Sequence, residues 1–341
     1  MPAAERPRIA LTLGDVAGIG PEVVTRACAD PRLHDWCRPV VVGHPAVFHR
    51  AVELTGVPLT VAETTSIAAL EPRPDCIPCW NPTDDTASQV PPGRNDARAG
   101  RAAYDYLSAA IREALAGTVQ GITTAPLSKA ALHLAGLDYP GHTEILAEQC
   151  GVAEFAMMLY LPSGGPIQSP QGLGVVHTTL HTSIRSVPEL LSTAGIREKI
   201  LLIDHFLSKV QCPSPRIGVC ALNPHAGEEG LFGDEEARLI APAVAEARQA
   251  GIAAAGPFPA DTLLKRACAG EFDGVVAMYH DQGHIALKLI GFNRAVNVTL
   301  GLPIVRTSPS HGTAFDIAWQ GTASAEGFLE AVRIAALLCG A

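Results

Sequence analysis

The chain lacks any run of apolar residues approaching the ~20 needed to cross a bilayer, so no membrane-spanning helix and no membrane partner are expected. No apolar signal core precedes Ile9 in the opening Met1-Pro-Ala-Ala-Glu-Arg6, and the expectation is a cytoplasmic protein. Positive charge is scarce: 25 Lys and Arg against 34 Asp and Glu leave a formal net charge of −9. That gives no basic face on average and argues against a nucleic-acid partner, while leaving room for a local patch that holds a small anion. The dinucleotide pattern G-x-G-x-x-G is absent, because the glycines at 14, 18 and 20 do not fit it. Zinc motifs of the H-E-x-x-H kind are absent too. The 9 cysteines are odd in number and scattered, which fits a reducing compartment better than a disulfide framework. Cys76-Ile-Pro-Cys79 has no second ligand pair at metal spacing and reads as incidental. There is no internal repeat, and no low-complexity linker separates independently folding parts.

What is present is an ordinary globular composition, 48% hydrophobic and 17% charged over 341 residues, with length for two domains. Residues 8–13, 39–43, 121–126, 154–161, 173–177, 215–222 and 274–278 read as strands. Residues 95–116, 234–249 and 325–338 read as helices by apolar spacing. Residues 71–94, rich in Pro, Asp and Thr, read as a long surface loop. Strands alternating with helices indicate an α/β protein with a mostly parallel sheet.

The densest cluster of reactive side chains follows the strand at 274–278: His280, Asp281, Gln282, Gly283 and His284, with Lys288 in the apolar run beyond. Ligands of open α/β sheets bind beyond the carboxyl ends of the strands. The stretch therefore reads either as a site or as a polar turn capped by its own side chains. His181 and His225 also follow strands, with Arg185 near the first and Asn223 and Glu228 near the second. Imidazole is the commonest metal ligand, and three protein ligands with an open position hold catalytic zinc. Each histidine alone is more often structural; three at strand ends point to a metal. His142 and Thr143 precede a helix. Thr143 fits an N-cap, and a helix start bearing both also suits an anion such as phosphate. Lys288, Asn297 and Arg306 lie further on. The two cations are either solvated surface charges or, buried in their apolar runs, in need of an anion.

Seven motifs, in order along nearly the whole chain, give a resemblance. They are Gly14-Asp15 with Gly18-Ile-Gly-Pro-Glu22, Gly141-His-Thr-Glu144, Asn223-Pro-His-Ala-Gly-Glu228, Pro259-Ala-Asp-Thr262, Tyr279-His-Asp-Gln-Gly283, Gly301-Leu-Pro303 and His311-Gly-Thr-Ala314. Together the sequence resembles the 4-hydroxythreonine-4-phosphate dehydrogenase family of vitamin B6 biosynthesis. More distantly, 311–318 is similar to the cofactor loop of isopropylmalate and isocitrate dehydrogenases, which bind NAD without G-x-G-x-x-G.

The resemblance implies two α/β domains around a cleft, as in those dehydrogenases: 1–124 plus 296–341 on the cofactor side, and 125–295 for metal, substrate and dimerisation. It implies that His181, His225 and His280 bind one divalent metal (zinc, magnesium or cobalt) in a site shared across a homodimer. His142, Thr143, Lys288, Asn297 and Arg306 would contact substrate, with Lys288 and Asp261 at the reacting centre. His311, Gly312, Thr313, Ala314 and Asp316 would contact NAD or NADP. The implied reaction is oxidation of the 3-hydroxyl of 4-phosphooxy-L-threonine followed by decarboxylation. The loop at 163–172 and the wording of 179–185 and 280–285 lean toward a second branch, similar to dehydrogenases of D-threonate or D-erythronate 4-phosphate. A third relative, acting on a terephthalate dihydrodiol, departs from the Gly-His-Thr-Glu pattern that this chain keeps. A non-catalytic anion- or metal-binding protein on the same fold would have lost one of the three histidines or Lys288, and none is lost.

Overall fold

The computed structural model describes residues 6–340 apart from 68, 69, 71, 72, 84 and 293. The chain forms two compact units, Met1–Ala153 with Leu302–Ala341, and Glu154–Gly301. In chain order, unit 1 opens with β1 (Arg8–Thr12), α1 (Gly20–Cys28), α2 (Pro31–Trp36), β2 (Arg38–Val42), α3 (Pro45–Thr55), β3 (Thr60–Thr64), β4 (Cys76–Trp80), α4 (Ala97–Leu115), β5 (Gly121–Thr124), α5 (Lys129–Leu134) and α6 (His142–Cys150). Unit 2 comprises β6 (Ala156–Leu161), β7 (Leu173–His177), α7 (Val187–Leu190), α8 (Thr193–Lys209), β8 (Arg216–Cys220), α9 (Ala241–Gln249), β9 (Ala253–Phe258), α10 (Ala260–Cys268), β10 (Gly274–Ala277), α11 (His280–Gly291) and β11 (Val296–Leu300). The chain then returns to unit 1 with β12 (Val305–Pro309) and α12 (Glu326–Leu338).

Unit 1 has the strand order β3-β4-β2-β1-β5-β12, parallel throughout. Its central strands are buried on both faces, Ile9, Leu11, Val40, Val42 and Ile122 all being fully buried. That is why they read as continuous apolar runs and not as alternating ones. Unit 2 has the order β11-β6-β7-β10-β8-β9. Here β6 runs antiparallel to both β11 and β7, while β7, β10, β8 and β9 are parallel. No described helix is long and apolar enough to cross a membrane.

The expected boundaries at 124/125 and 295/296 are displaced to 153/154 and 301/302. Two observations explain the shift. Ile145 and Leu146 of α6 are part of the unit 1 core, and Gln149 Nε2 donates to Ser108 Oγ of α4 at 2.7 Å. At the other boundary, β11 pairs along its whole length with β6, from Val296 opposite Tyr160 to Leu300 opposite Ala156.

The expected surface loop at 71–94, of which 71, 72 and 84 lie outside the described residues, contains β4. Cys76 and Cys79 are buried in that strand, and Cys79 Sγ donates to Gly43 O at 3.2 Å. All the cysteines are free thiols.

Helices α4 and α5 approach so closely that a Cβ on Gly100 would lie 2.0 Å from Ala131 O and 2.7 Å from Leu132 N. Alanine is ordinarily better than glycine in a helix by about 0.8–1.0 kcal/mol, but both obstructing atoms are backbone. Overpacking of this kind costs about 1–3 kcal/mol. Gly100→Ala is therefore expected to destabilise the protein, seen as a lower denaturant midpoint with an unchanged slope.

Candidate active site

In unit 2 the site is built where β7, β10 and β8 end. These strands are parallel neighbours, with Ala277 opposite His177 and Val276 opposite Val219. Their carboxyl ends therefore share one edge. Gln282, in the first turn of α11, ties two of these ends together. Its Oε1 accepts from Met278 N–H at 2.7 Å, and its Nε2 donates to Ala221 O at 2.8 Å. The segment after β7 is held against the same end: Thr178 N–H donates to Ala277 O, and Thr179 Oγ1 to Met278 O at 2.9 Å.

This brings His181 and His280 side by side, with ring centroids 5.5 Å apart. His280 Nδ1 is 2.6 Å from Asp281 Oδ1, which leaves Nε2 as its outward nitrogen. His284, one turn along α11, stacks on His280 with centroids 3.8 Å apart and planes 14° from parallel. His284 Nδ1 meets His177 Nε2 at 3.0 Å, and His177 Nδ1 meets Met157 O at 3.2 Å. A carbonyl only accepts, so His177 carries its proton on Nδ1, and its Nε2 accepts from His284. Burial pushes the His177 pKa down to about 4 and the His284 pKa to about 2, with neighbouring imidazoles and, for His284, Lys288 adding to the shift. The pair is neutral at physiological pH. Gly283 is required here, since a Cβ would lie 2.7 Å from both His177 Nε2 and Val175 Cγ1. Lys288 is half-buried one further turn along the face that carries His280 and His284, its Nζ 5.8 Å from the Phe292 ring centroid.

His225 stands apart. It lines a cavity of about 320 Å³ with Asn223, Asp261, Tyr279 and Gln282, whereas His181 and His280 line another of about 240 Å³. Tyr279 is a wall of both. Among the described residues no group of three or more His, Cys, Asp or Glu could hold a metal ion. One chain thus brings together two of the three expected ligands and presents the third separately. The Oδ1 of Asn297, on β11, is buried without a hydrogen-bond partner among the described residues.

Unit 1 carries the remaining candidates. Arg306, in β12, is 2% exposed and donates to Thr124 Oγ1 at 2.7 Å. Burial pushes its pKa down to about 9, against the pull of Glu144, so it stays charged at neutral pH. His142 opens α6. Burial and then the Arg306 charge hold its pKa well below the usual imidazole range, while a hydrogen bond with the Ala125 backbone works the other way. Thr143 is buried as the second helical residue, and the N-cap position belongs to Gly141, whose backbone is extended. The expected Thr143 N-cap is thereby corrected. The helix starts two residues earlier, so the backbone N–H groups of both His142 and Thr143 belong to its first turn.

The loop after β12 lies against the glycine-rich segment after β1. Ile19 N–H donates to Thr313 O at 3.0 Å, and a Cβ on Gly18 would be 2.9 Å from that oxygen. Glu22 Oε1 accepts from Trp319 N–H, and Trp319 Nε1 donates to Val16 O at 2.9 Å. Ala314 takes a left-handed φ of 44°. Gly312 and Asp316 are exposed. His311 Nε2 is buried without a partner among the described residues, and burial lowers the His311 pKa.

Paired imidazoles at strand ends in one unit, and a buried arginine beside a helix start in the other, mark an α/β protein that handles a small polar ligand. The chain belongs to the family of the pyridoxal phosphate biosynthetic protein PdxA, which matches residues 35–335. It is 44% identical over 331 residues to the 4-hydroxythreonine-4-phosphate dehydrogenase of Geobacter metallireducens, covering 97% of this chain and 95% of that one. It is 43% identical over 333 residues to the D-threonate 4-phosphate dehydrogenase of Salmonella typhimurium, covering 97% and 98%. The crystal structure of 4-hydroxythreonine-4-phosphate dehydrogenase from Klebsiella pneumoniae superposes with a TM-score of 0.85 at 42% identity, covering 98% of each chain. By this kinship the protein is an oxidoreductase of the dehydrogenase kind.

Asp15, in the glycine-rich segment, is fully buried. Its Oδ1 accepts from Ala17 N–H at 2.8 Å, and its Oδ2 has no partner among the described residues. Burial raises its pKa from 3.8 to about 6, with Asp96 adding to the effect and the Ala17 N–H opposing it. The folded state thus holds this proton more tightly than the unfolded chain. Its contribution to stability falls as pH rises from about 4 to about 6 and is level above that. Asp15→Asn keeps the acceptor and removes the charge. It is expected to raise stability at pH 7–8 by up to about 3 kcal/mol, with the gain vanishing below about pH 4; melting temperature measured against pH checks this.

Proposed function

We propose that the protein is a metal-dependent, NAD-linked decarboxylating dehydrogenase of a phosphorylated four-carbon hydroxy acid, with 4-phosphooxy-L-threonine as the leading substrate and NADP as an alternative acceptor. The observation that carries this reading is the adjacent His181 and His280 pair, with His280 Nδ1 engaged by Asp281. Metal-binding histidines characteristically have their second nitrogen held by a carboxylate or carbonyl, so the pair fits two positions of a divalent ion. His225 is the third candidate ligand. A bound ion would polarise the substrate hydroxyl and lower its pKa, and the dinucleotide would take the hydride.

The chain's own residues do the rest. Asp281 fixes the tautomer of His280. The neutral His177 and His284 back that ring without adding positive charge beside it. Arg306, still protonated, and the first-turn N–H groups of α6 at His142 and Thr143 supply complementarity to phosphate or carboxylate. Asn297 offers its unpartnered Oδ1 to a substrate hydroxyl. Lys288, aligned with His280 on α11, and Asp261, beside His225, are the candidates for moving the proton of the oxidised hydroxyl. His311, Gly312, Thr313, Ala314 and Asp316 form the candidate dinucleotide loop, and a cytoplasmic setting suits the free thiols.

We read the working form as a homodimer in which His225 of one copy completes the His181 and His280 pair of the other. Helix α11 begins at His280 and leaves Ile285 (58% exposed), Leu289 (83%) and Phe292 (49%) uncovered on one face. Apolar residues spaced in this way and left bare mark a protein contact. A second reading, D-threonate or D-erythronate 4-phosphate as substrate, is supported by a relative of nearly equal identity that bears the first of those names.

The test is NADH formation with 4-phosphooxy-L-threonine, D-threonate 4-phosphate, D-erythronate 4-phosphate and their dephosphorylated forms, with and without chelator. Turnover is expected only with phosphorylated acids and is expected to be abolished by chelator. Equal use of dephosphorylated acids, or indifference to chelation, would refute the reading. For the assembly, His225→Ala and His280→Ala proteins, each inactive, are expected to regain activity when mixed under subunit exchange. Statistical pairing gives about a quarter of the wild-type sites if one ligand of each site comes from the other copy.

A further inference from the structure

His225 sits at the start of an unusual backbone. Residues His225, Ala226, Gly227, Glu228 and Glu229 have φ of 53°, 55°, 81°, 42° and 55°, a left-handed run in which only one residue is glycine. For L residues this conformation is unfavourable and normally occurs singly. The run is wrapped around one carboxylate. Glu236, 5% exposed, accepts through Oε1 from Leu222 N–H at 2.9 Å and Asn223 N–H at 2.8 Å, and through Oε2 from Asn223 Nδ2 at 3.0 Å. A Cβ on Gly227 would lie 2.8 Å from Glu236 Oε2, so the turn closes directly over the carboxylate. Phe232 N–H donates to Gly227 O at 3.1 Å and shuts the far side. Glu236 itself begins a widened, π-type turn, Glu236–Ile240, a local geometry that aims a side chain at some cost to the helix.

We propose that Glu236 is the positioning residue for His225. Its carboxylate fixes the backbone at Leu222 and Asn223, and that fixed start sustains the strained turn presenting the imidazole to the cavity shared with Asp261. The inference rests on the reading of His225 as a functional group. Glu236 touches no ligand and acts only through His225.

The experiment is a double-mutant cycle in the full-length protein with His225→Ala, Glu236→Ala and the pair, together with Glu236→Gln. The readouts are amide exchange at Leu222 and Asn223, affinity for Co²⁺ alone, and kcat and KM on the best phosphorylated acid. Glu236→Ala is expected to speed exchange at both amides and to weaken Co²⁺ binding and kcat by roughly tenfold or more, with KM for NAD unchanged. Glu236→Gln, which keeps an oxygen for the two N–H groups, is expected to retain most of the wild-type Co²⁺ affinity. In the His225→Ala background, read by Co²⁺ affinity because that protein is inactive, the Glu236→Ala change is expected to cost no further affinity. An equal further loss in that background would show a general structural role and overturn the proposal while leaving His225 functional. Unchanged Co²⁺ affinity and kcat in His225→Ala would overturn both the proposal and the reading beneath it. If Glu236→Ala does not fold, Glu236→Asp, which keeps the charge but withdraws it by one methylene, carries the same cycle.

Discussion

One amide side chain sets the geometry of unit 2. Strand pairing brings the ends of β8 and β10 to the same edge, but it fixes nothing beyond the last paired residues. Gln282 does, by accepting from Met278 N–H and donating to Ala221 O at once. An amide can do both, whereas a carboxylate has no proton to give and an ammonium has no lone pair to offer. From that bridge α11 departs in one direction, and its period aligns His280, His284 and Lys288. In the other direction the chain beyond Ala221 leads to Asn223, where Glu236 takes over. Two polar side chains from different elements therefore hold the backbone of Ala221, Leu222 and Asn223, which lines the cavity of His225.

Burial sets the titratable groups behind the site in opposite states. Imidazoles start near neutrality, so burial leaves His177 and His284 uncharged. A guanidinium starts so high that burial still leaves Arg306 protonated. The same low-polarity surroundings thus yield neutral hydrogen-bond partners in unit 2 and a fixed cation in unit 1, without any change in the kind of environment.

The strands legible in the sequence are those buried on both faces, such as β1, β2 and β10, where runs of Val, Ile and Ala leave little choice. β3, mostly exposed at an edge, and β9, built from Ala, Gly and Pro, carry no such signal. β4 is five residues long inside a polar stretch. β11 follows a helix as any parallel strand would, and nothing local shows that it pairs with the reversed β6. At the site, His181 and His280 could be marked as candidates from strand ends, since polar residues there have few structural reasons to cluster. His177 could not. It occupies the last place of a buried strand, and its partner His284 is 107 residues away. Asp15 lay within a recognised motif, but its full burial did not show there. Glu236 was hidden in a helical pattern, where an acidic residue reads as solvated, and only the backbone that it grips gives it away.

The reversed strand β6 has an architectural consequence. Because it runs against its neighbours, Ala156 at its start lies opposite Leu300 at the end of β11, and a Cβ on Gly301 would touch Glu154 O at 2.5 Å. The two ends of unit 2 are therefore neighbours, although 146 residues lie between Glu154 and Gly301. In genetic terms the segment is a cassette: a closed excursion that leaves and rejoins its host at one point. Segments with this property can be inserted, exchanged or circularly permuted without stretching the chain that carries them.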